Sequence, residues 1–118
     1  MRLLGEDGSV VCETCIVADT ALTRMRGLLG RTELPSGEGM LIRPANSIHT
    51  WFMRFPIDVV FLDGDLTVLR VRSAVRPWRT AGCRGAKAVL ELAAGEAERR
   101  GVEPGTRLVL SGGSEGKS

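Results

Sequence analysis

An unbroken apolar run, Val59 to Leu62, lies between a proline and an Asp-Gly turn signal in the segment PIDVVFLDGD. A short apolar run between turn residues is typical of a strand that is covered on both faces and therefore central in its sheet. Asp63-Gly64 or Gly64-Asp65 can supply the positive φ angles of a two-residue hairpin turn. The sequence thus predicts a central strand followed by a tight reversal.

The segment after this turn, LTVLRVRSAV, alternates apolar and basic positions. Successive side chains of a strand face opposite sides, so Leu69, Val71 and Val75 point one way and Arg70 and Arg72 point the other. We predict a return strand whose two arginines are exposed.

The rest of the chain follows the same alternation of short apolar segments and turn residues. Leu22, Met25, Leu28 and Leu29 recur at helical spacing and stop at Gly30. Elsewhere, alternation and turn signals such as Pro104-Gly105 favour short strands. The predicted strands cover residues 10–18, 39–44, 86–95 and 106–111, and the predicted short helices cover residues 20–29 and 95–101.

Five to seven short strands with one or two small helices packed beside them predict a mainly β fold, a compact β-sandwich or a partly closed barrel. A chain of 118 residues is the size of one domain. We assign residues 1–111 to a single domain and expect the glycine- and serine-rich residues 112–118 to be a disordered tail. Oligomeric state is undefined, and a monomer is the default expectation.

Composition describes an ordinary globular protein, with 43% hydrophobic and 25% charged residues. The amino-terminal residues lack the apolar stretch of a signal peptide, and no apolar run approaches the length of a membrane span. We therefore expect a cytoplasmic protein without membrane insertion.

The net charge of +2 is too small to indicate nucleic-acid binding by itself. Charge is nevertheless uneven, because no acidic residue occurs between Asp65 and Glu91. This basic run fits either a solvated strand face or a surface for an anion or nucleic acid. Its members are Arg70, Arg72, Arg76, Arg79, Arg84 and Lys87.

Cys12 and Cys15 form a CxxC motif, but a second such pair is absent. If residues 10–18 form one strand, side chains three apart face opposite sides, and a single metal ion could not bind both thiolates without a bulge. We expect free structural thiols, with zinc binding and a redox pair as the less favoured alternatives, and we predict no metal and no cofactor.

The segment from Ser47 to Asp65 contains four of the five aromatic residues and the sole histidine. Extended geometry would place His49, Trp51 and Met53 on one face, and Thr50, Phe52 and Arg54 on the other. Each face then carries an aromatic ring, and one of them must pack on another element, a partner or a ligand.

The carboxyl group of Asp58 needs a partner if it is buried. Asp58 shares its strand face with Val60 and Leu62, so it should bind backbone amides or an arginine, the candidates being Arg24, Arg26 and Arg54. His49 could act as a general base oriented by Asp58 or Glu91. No nucleophile elbow or paired-carboxylate signature accompanies it, and no catalytic residue is assigned.

Five stretches of the sequence resemble, in order, the DUF192 family, a domain of unknown function. They are RMRGLLGR (24–31), GEGMLI (37–42), SIHTWFMRFPIDVVFLD (47–63), RPW (76–78), and AVLELAAG followed by GVEPGT (88–106). The resemblance implies a compact β-sandwich or barrel with a helix beside it, and it implies no reaction. It also emphasises matched positions, namely Arg24, Gly27, Gly30, Met40, His49, Trp51, Asp58, Pro77, Trp78, Glu91 and Gly95.

The sequence therefore favours a binding or adaptor module for a small molecule or peptide, because aromatic, histidine and arginine side chains adjoin a rigid strand. The candidate ligand-binding residues are His49, Trp51, Arg54, Asp58, Arg76, Trp78 and Glu91. A hydrolase or transferase that uses His49 with Asp58 or Glu91 is one alternative. Nucleic-acid binding through Arg70 to Lys87 is another.

Overall fold

A computed structural model describes residues 1–18, 33–51 and 53–112 of the chain. This part contains ten strands and one short helix. The strands are β1 (Arg2–Gly5), β2 (Val10–Cys12), β3 (Thr14–Ala18), β4 (Glu38–Ile42), β5 (Ser47–His49), β6 (Ile57–Leu62), β7 (Val68–Val75), β8 (Thr80–Gly82), β9 (Ala88–Ala93) and β10 (Leu108–Ser111), and the helix is α1 (Glu96–Arg99).

The central sheet has five strands in the order β3-β4-β9-β6-β7. β3 pairs with β4 in parallel, and the other neighbours are antiparallel. β6 lies between β9 and β7, and all six of its residues are buried. The prediction of a central strand covered on both faces is confirmed.

Two hydrophobic clusters explain why β6 is apolar throughout. Val60 and Leu62 belong to a first cluster on one face of the sheet, whereas Val59 and Phe61 belong to a second cluster on the other face. The first cluster lies beneath a three-stranded sheet of order β10-β1-β2, which contributes Leu3, Val11 and Leu108, and beneath Ala97 of α1. The second cluster receives Leu34, Met53 and Ala81.

The fold is mainly β, as predicted from the sequence, and its sheets stay open instead of closing into a barrel. β4, β6, β7, β9, β10 and α1 lie close to their predicted positions. The predicted helix at residues 20–29 falls outside the described residues, as does nearly all of the predicted tail.

Two local predictions are wrong. Residues 10–18 form two strands that break at Glu13, not one. The turn after β6 spans residues 63–67 because Leu66, and not Gly64, adopts the left-handed backbone, with φ 64°. Asp63 stabilises this longer turn by accepting hydrogen bonds from the amides of Asp65 (2.8 Å) and Thr67 (2.9 Å).

β7 contains a bulge opposite the start of β6. Ile57 lies opposite Val75 and Val59 lies opposite Arg72. Between these pairs β6 has one residue and β7 has two, so β7 holds the extra residue. Ala74, within the bulge, has φ 50°. A bulge bends its strand and interrupts regular pairing, which here places the loop after β7 near β5.

Candidate functional site

β5 and β8 form a separate two-stranded sheet that carries the histidine. Ile48 lies opposite Ala81, and both pack against the second cluster. His49 lies opposite Thr80, and both are exposed. The alternation of β5 therefore turns His49 towards solvent.

The extended geometry predicted for residues 49–54 ends at His49. The amide of Met53 donates a hydrogen bond to the carbonyl of Thr50 at 3.2 Å, which turns the chain. Met53 consequently enters the second cluster instead of sharing the exposed side of His49 and Trp51, which corrects that part of the prediction. Phe52 is outside the described residues.

Thr50 ties this turn to the loop that connects β7 with β8. It is fully buried, and its Oγ1 donates to the carbonyl of Arg76 at 2.6 Å and accepts from the amide of Arg79 at 2.9 Å. Its own amide donates to the carbonyl of Arg79 at 2.8 Å, and its carbonyl accepts from the amide of Trp78 at 2.9 Å. One buried residue thus fixes two surface segments to each other.

Aromatic rings project outward on both sides of Thr50. Trp51 is 46% exposed and Trp78 is 57% exposed, which is unusual for the largest apolar side chain. The rings of His49 and Trp51 stack, with centroids 4.9 Å apart and an interplanar angle of 29°. Trp78 also holds φ at 66°, a left-handed conformation that bulky residues rarely adopt.

Three arginines lie in the same two segments as these rings. Arg54, Arg76 and Arg79 are exposed, and Nη1 of Arg79 lies 3.4 Å from the carbonyl oxygen of Trp78. The stretch between Asp65 and Glu91, which includes the two arginines of the loop, contains no acidic residue. We name this group the ring surface and define it as His49, Trp51, Arg54, Arg76, Trp78 and Arg79.

Asp58 lies elsewhere, on the face of the sheet that carries the first cluster. It is fully buried, and Oδ1 accepts a hydrogen bond from the amide of Ala74 at 2.8 Å. Oδ2 accepts from the amides of Gly95 (3.0 Å) and Ala97 (2.9 Å). These backbone bonds, one of the two alternatives expected for Asp58, join the β7 bulge to the start of α1. Arg24 and Arg26, candidates for the arginine alternative, lie outside the described residues.

Glu91 is also buried, but on the opposite face. Its cross-strand neighbours Met40 and Val59 belong to the second cluster, and directly opposite residues share a face. The side chain is 4% exposed, and no described residue donates a hydrogen bond to Oε1. Burial raises the pKa of this carboxyl to about 7.

The structure thus separates the candidate residues into three locations. His49, Trp51, Arg76 and Trp78 come together around Thr50, with Arg54 exposed three residues after Trp51. Asp58 and Glu91 lie within the sheet and face opposite sides. Thr50 and Arg79 were missing from the sequence-based set. The sequence signal for Thr50 was strand alternation, which turns this residue inward while the neighbouring rings of His49 and Trp51 turn outward.

The cysteine pair differs from expectation in one respect. Because the chain breaks at Glu13, Cys12 and Cys15 both enter the first cluster instead of facing opposite sides. Hydrogen bonding to Cys15 and burial raise the pKa of the Cys12 thiol, whereas the bond to Cys12 lowers that of Cys15. Neither thiol is in a disulfide, and the described residues contain no group of three potential metal ligands.

The fold and the ring surface together define a small, mainly β protein that presents aromatic and basic side chains to solvent. The chain belongs to the DUF192 family, described as uncharacterized, whose pattern it matches over residues 3–110. It is 35% identical over 98 residues to a UPF0127 protein from Thermococcus sibiricus, a match that covers 78% of this chain and 62% of that relative.

Two solved structures have a similar fold. A protein of unknown function from Novosphingobium aromaticivorans superposes with a TM-score of 0.79 at 27% identity, over 92% of this chain and 82% of that one. A protein described as a putative transcription regulator from Sinorhizobium meliloti superposes with a TM-score of 0.80 at 28% identity, over 92% and 89%. No helix in the described part of the chain is long and apolar enough to span a membrane.

Proposed function

We propose that this protein is a binding module whose ring surface holds a small molecule or peptide with an anionic group and a flat or apolar face. The observation that carries the proposal is the exposure of both tryptophans on segments that Thr50 fixes to each other. A rigid aromatic anchor loses little conformational entropy on binding, which is why tryptophan and arginine dominate the energetics of recognition sites.

Two further features support binding at this surface. Trp78 holds a left-handed backbone, and such strained conformations concentrate at ligand-binding positions. The loop arginines can supply bidentate hydrogen bonds to a carboxylate or phosphate beside the rings. Their charge also attracts anions before contact.

The geometry gives less support to a hydrolase or transferase. A general base must reach its proton and be held by a partner, yet His49 stacks on Trp51 and no described carboxylate pairs with it. Asp58 already accepts three backbone hydrogen bonds. Glu91 is buried within the sheet.

A thermal-shift screen tests the proposal directly. The panel contains nucleotides, aromatic carboxylates, sugar phosphates and short peptides, because a ligand that binds only the native state raises the melting temperature. Any hit is repeated with Trp51→Ala, Trp78→Ala and His49→Ala. We expect each tryptophan variant to weaken binding at least about tenfold, as loss of an aromatic anchor does.

Val109→Ala is the matched control, since Val109 is an exposed apolar residue on β10 and lies outside the ring surface. It should leave affinity unchanged. Hits that bind the two tryptophan variants as tightly as the wild type would overturn the proposal, and so would a complete absence of hits across the panel.

A further inference from the structure

β7 forms one edge of the central sheet. Within the described part of the chain it pairs only with β6. Its beginning is covered, because Val68 exchanges hydrogen bonds with Gly105 and Thr106 (both 2.8 Å). Its end is the bulge at Ala74, whose amide bonds to Asp58. A second register shift, between Phe61 and Leu62, leaves Leu69 as an extra residue, so the regularly paired stretch between these limits is residues 70–72, about 10 Å of extended chain.

The side chains of this stretch differ between the two faces of the sheet. Arg70 and Arg72 lie opposite Phe61 and Val59, on the second-cluster face, and both are exposed. Val71, between them, packs partly against the first cluster. An incoming strand would therefore meet positive charge on one face and an apolar side chain on the other.

We propose that the outer edge of β7 binds an extended peptide that alternates acidic and apolar residues, as a sixth strand of the sheet. Edge strands offer unpaired amides and carbonyls that a peptide can complete, and the side chains of alternate positions set its specificity. Acidic residues of the peptide would lie beside Arg70 and Arg72, and an apolar residue between them would lie beside Val71. This inference does not depend on the ring surface.

A second copy of the chain is a poor occupant of this edge. If two copies paired antiparallel about Val71, Arg70 of one would lie directly opposite Arg72 of the other, and like charges at such positions destabilise the pair. Nucleic acid matches the arginines but not the intervening Val71, and the net charge of the whole chain is only +2. A strand that alternates acidic and apolar residues complements the arginines on one face and Val71 on the other.

Fluorescence anisotropy with a labelled, capped peptide of alternating glutamate and valine tests the proposal. Three controls accompany it: a block peptide with the same composition but all glutamates first, an alternating lysine and valine peptide, and single-stranded DNA. We expect the alternating acidic peptide to bind at least about tenfold more tightly than either peptide control, because only it combines charge and register. Amide shifts in an NMR spectrum should centre on residues 70–72.

The double variant Arg70→Glu/Arg72→Glu should no longer bind the alternating acidic peptide and should bind the alternating lysine and valine peptide instead. Arg2→Glu/Arg84→Glu is the matched control, since both arginines are exposed, lie outside β7 and give the same change of charge. Equal binding of the block and alternating peptides, unchanged binding by the β7 variant, or binding of DNA alone would each overturn the proposal. Loss of small-molecule binding in Trp51→Ala would concern only the ring surface.

Discussion

The carboxylate of Asp58 is buried, and among the described residues it accepts hydrogen bonds from three backbone amides. In Asp58→Asn the side-chain amide has one acceptor oxygen, so an NH₂ group must face at least one of the amides of Ala74, Gly95 and Ala97. Since an unpaired buried donor costs about 1–3 kcal/mol and a charged acceptor is lost as well, we expect the free energy of unfolding to fall by about 3 kcal/mol. Urea unfolding measures this change.

Asp65→Asn provides the comparison, because Asp65 is an exposed carboxylate in the turn after β6. Its effect should stay within about 0.5 kcal/mol, as for most surface substitutions. A similar small effect for Asp58→Asn would show that α1 and the β7 bulge do not depend on this carboxylate.

Glu91 makes stability depend on pH in the opposite sense to a paired carboxylate. Its pKa rises from 4.5 to about 7 because burial disfavours the charged form. Well below pH 4.5 the group is neutral in both states and adds no penalty for burying a charge. As the pH rises towards 7 the unfolded state releases its proton first, and folding is progressively penalised. Above pH 7 the penalty is constant at about 3 kcal/mol.

Glu91→Gln should therefore gain about 3 kcal/mol of stability relative to the wild type between pH 4 and pH 8. Chemical unfolding at the two pH values measures it. Glu98→Gln, at an exposed position of α1, should show no such pH-dependent difference. A Glu91→Gln difference that is the same at both pH values would contradict the shifted pKa.

At the scale of elements, β4 and β9 approach closely at Gly39. A Cβ placed there would lie 2.8 Å from Cδ2 of Leu92 and 2.9 Å from the carbonyl oxygen of Glu91, and a backbone atom cannot move aside cheaply. Gly39→Ala should destabilise the protein by about 1–3 kcal/mol through overpacking. The melting temperature should fall by several degrees, whereas Gly64→Ala, with its nearest contact at 4.0 Å, should change it little.

The link between β5 and the β7–β8 loop depends on one hydroxyl. Thr50→Val keeps the shape but removes the hydrogen bonds of Oγ1 to the Arg76 carbonyl and from the Arg79 amide. We expect a loss of about 1–3 kcal/mol in urea unfolding, because buried backbone groups are left unpaired. Thr50→Ser should retain most of the stability, and Thr80→Val, at an exposed position opposite His49, should be nearly neutral. A neutral Thr50→Val would argue against a rigid ring surface.

Across the whole molecule, stability should decrease from the central sheet outward. The amides of β6 lie between two paired strands and beneath both clusters, so only global unfolding exposes them. Those of the two-stranded β5–β8 sheet should exchange with deuterium earlier, through local opening. Hydrogen exchange measured residue by residue tests this order, and equal protection of β5 and β6 would contradict it.

Sequence patterns predicted the strands whose own residues show which side chains are buried. The apolar run of β6 and the alternation of β7 are such patterns, and each is visible within a single segment. β1, β5 and β8 were not predicted because each has only three or four residues and is stabilised by partners far along the chain, such as Thr80 opposite His49.

The candidate site divides in the same way. The rings and arginines could be named from the sequence because their side chains are conspicuous in composition. The role of Thr50 could not, since it depends on which carbonyls the β7–β8 loop brings near. The separation of Asp58 and Glu91 onto opposite faces likewise follows from strand register, which one sequence does not reveal.

The first strand pairs with the last, with Arg2 opposite Ser111 and Gly5 opposite Leu108. A chain made from its amino end therefore releases β1 long before its outer partner exists. Until β10 is synthesised, that side of β1 is a bare row of amides and carbonyls that other nascent chains can capture. Ribosomes stalled before residue 108 should accordingly yield a product that aggregates or recruits chaperones, although nearly all of the core has already been translated.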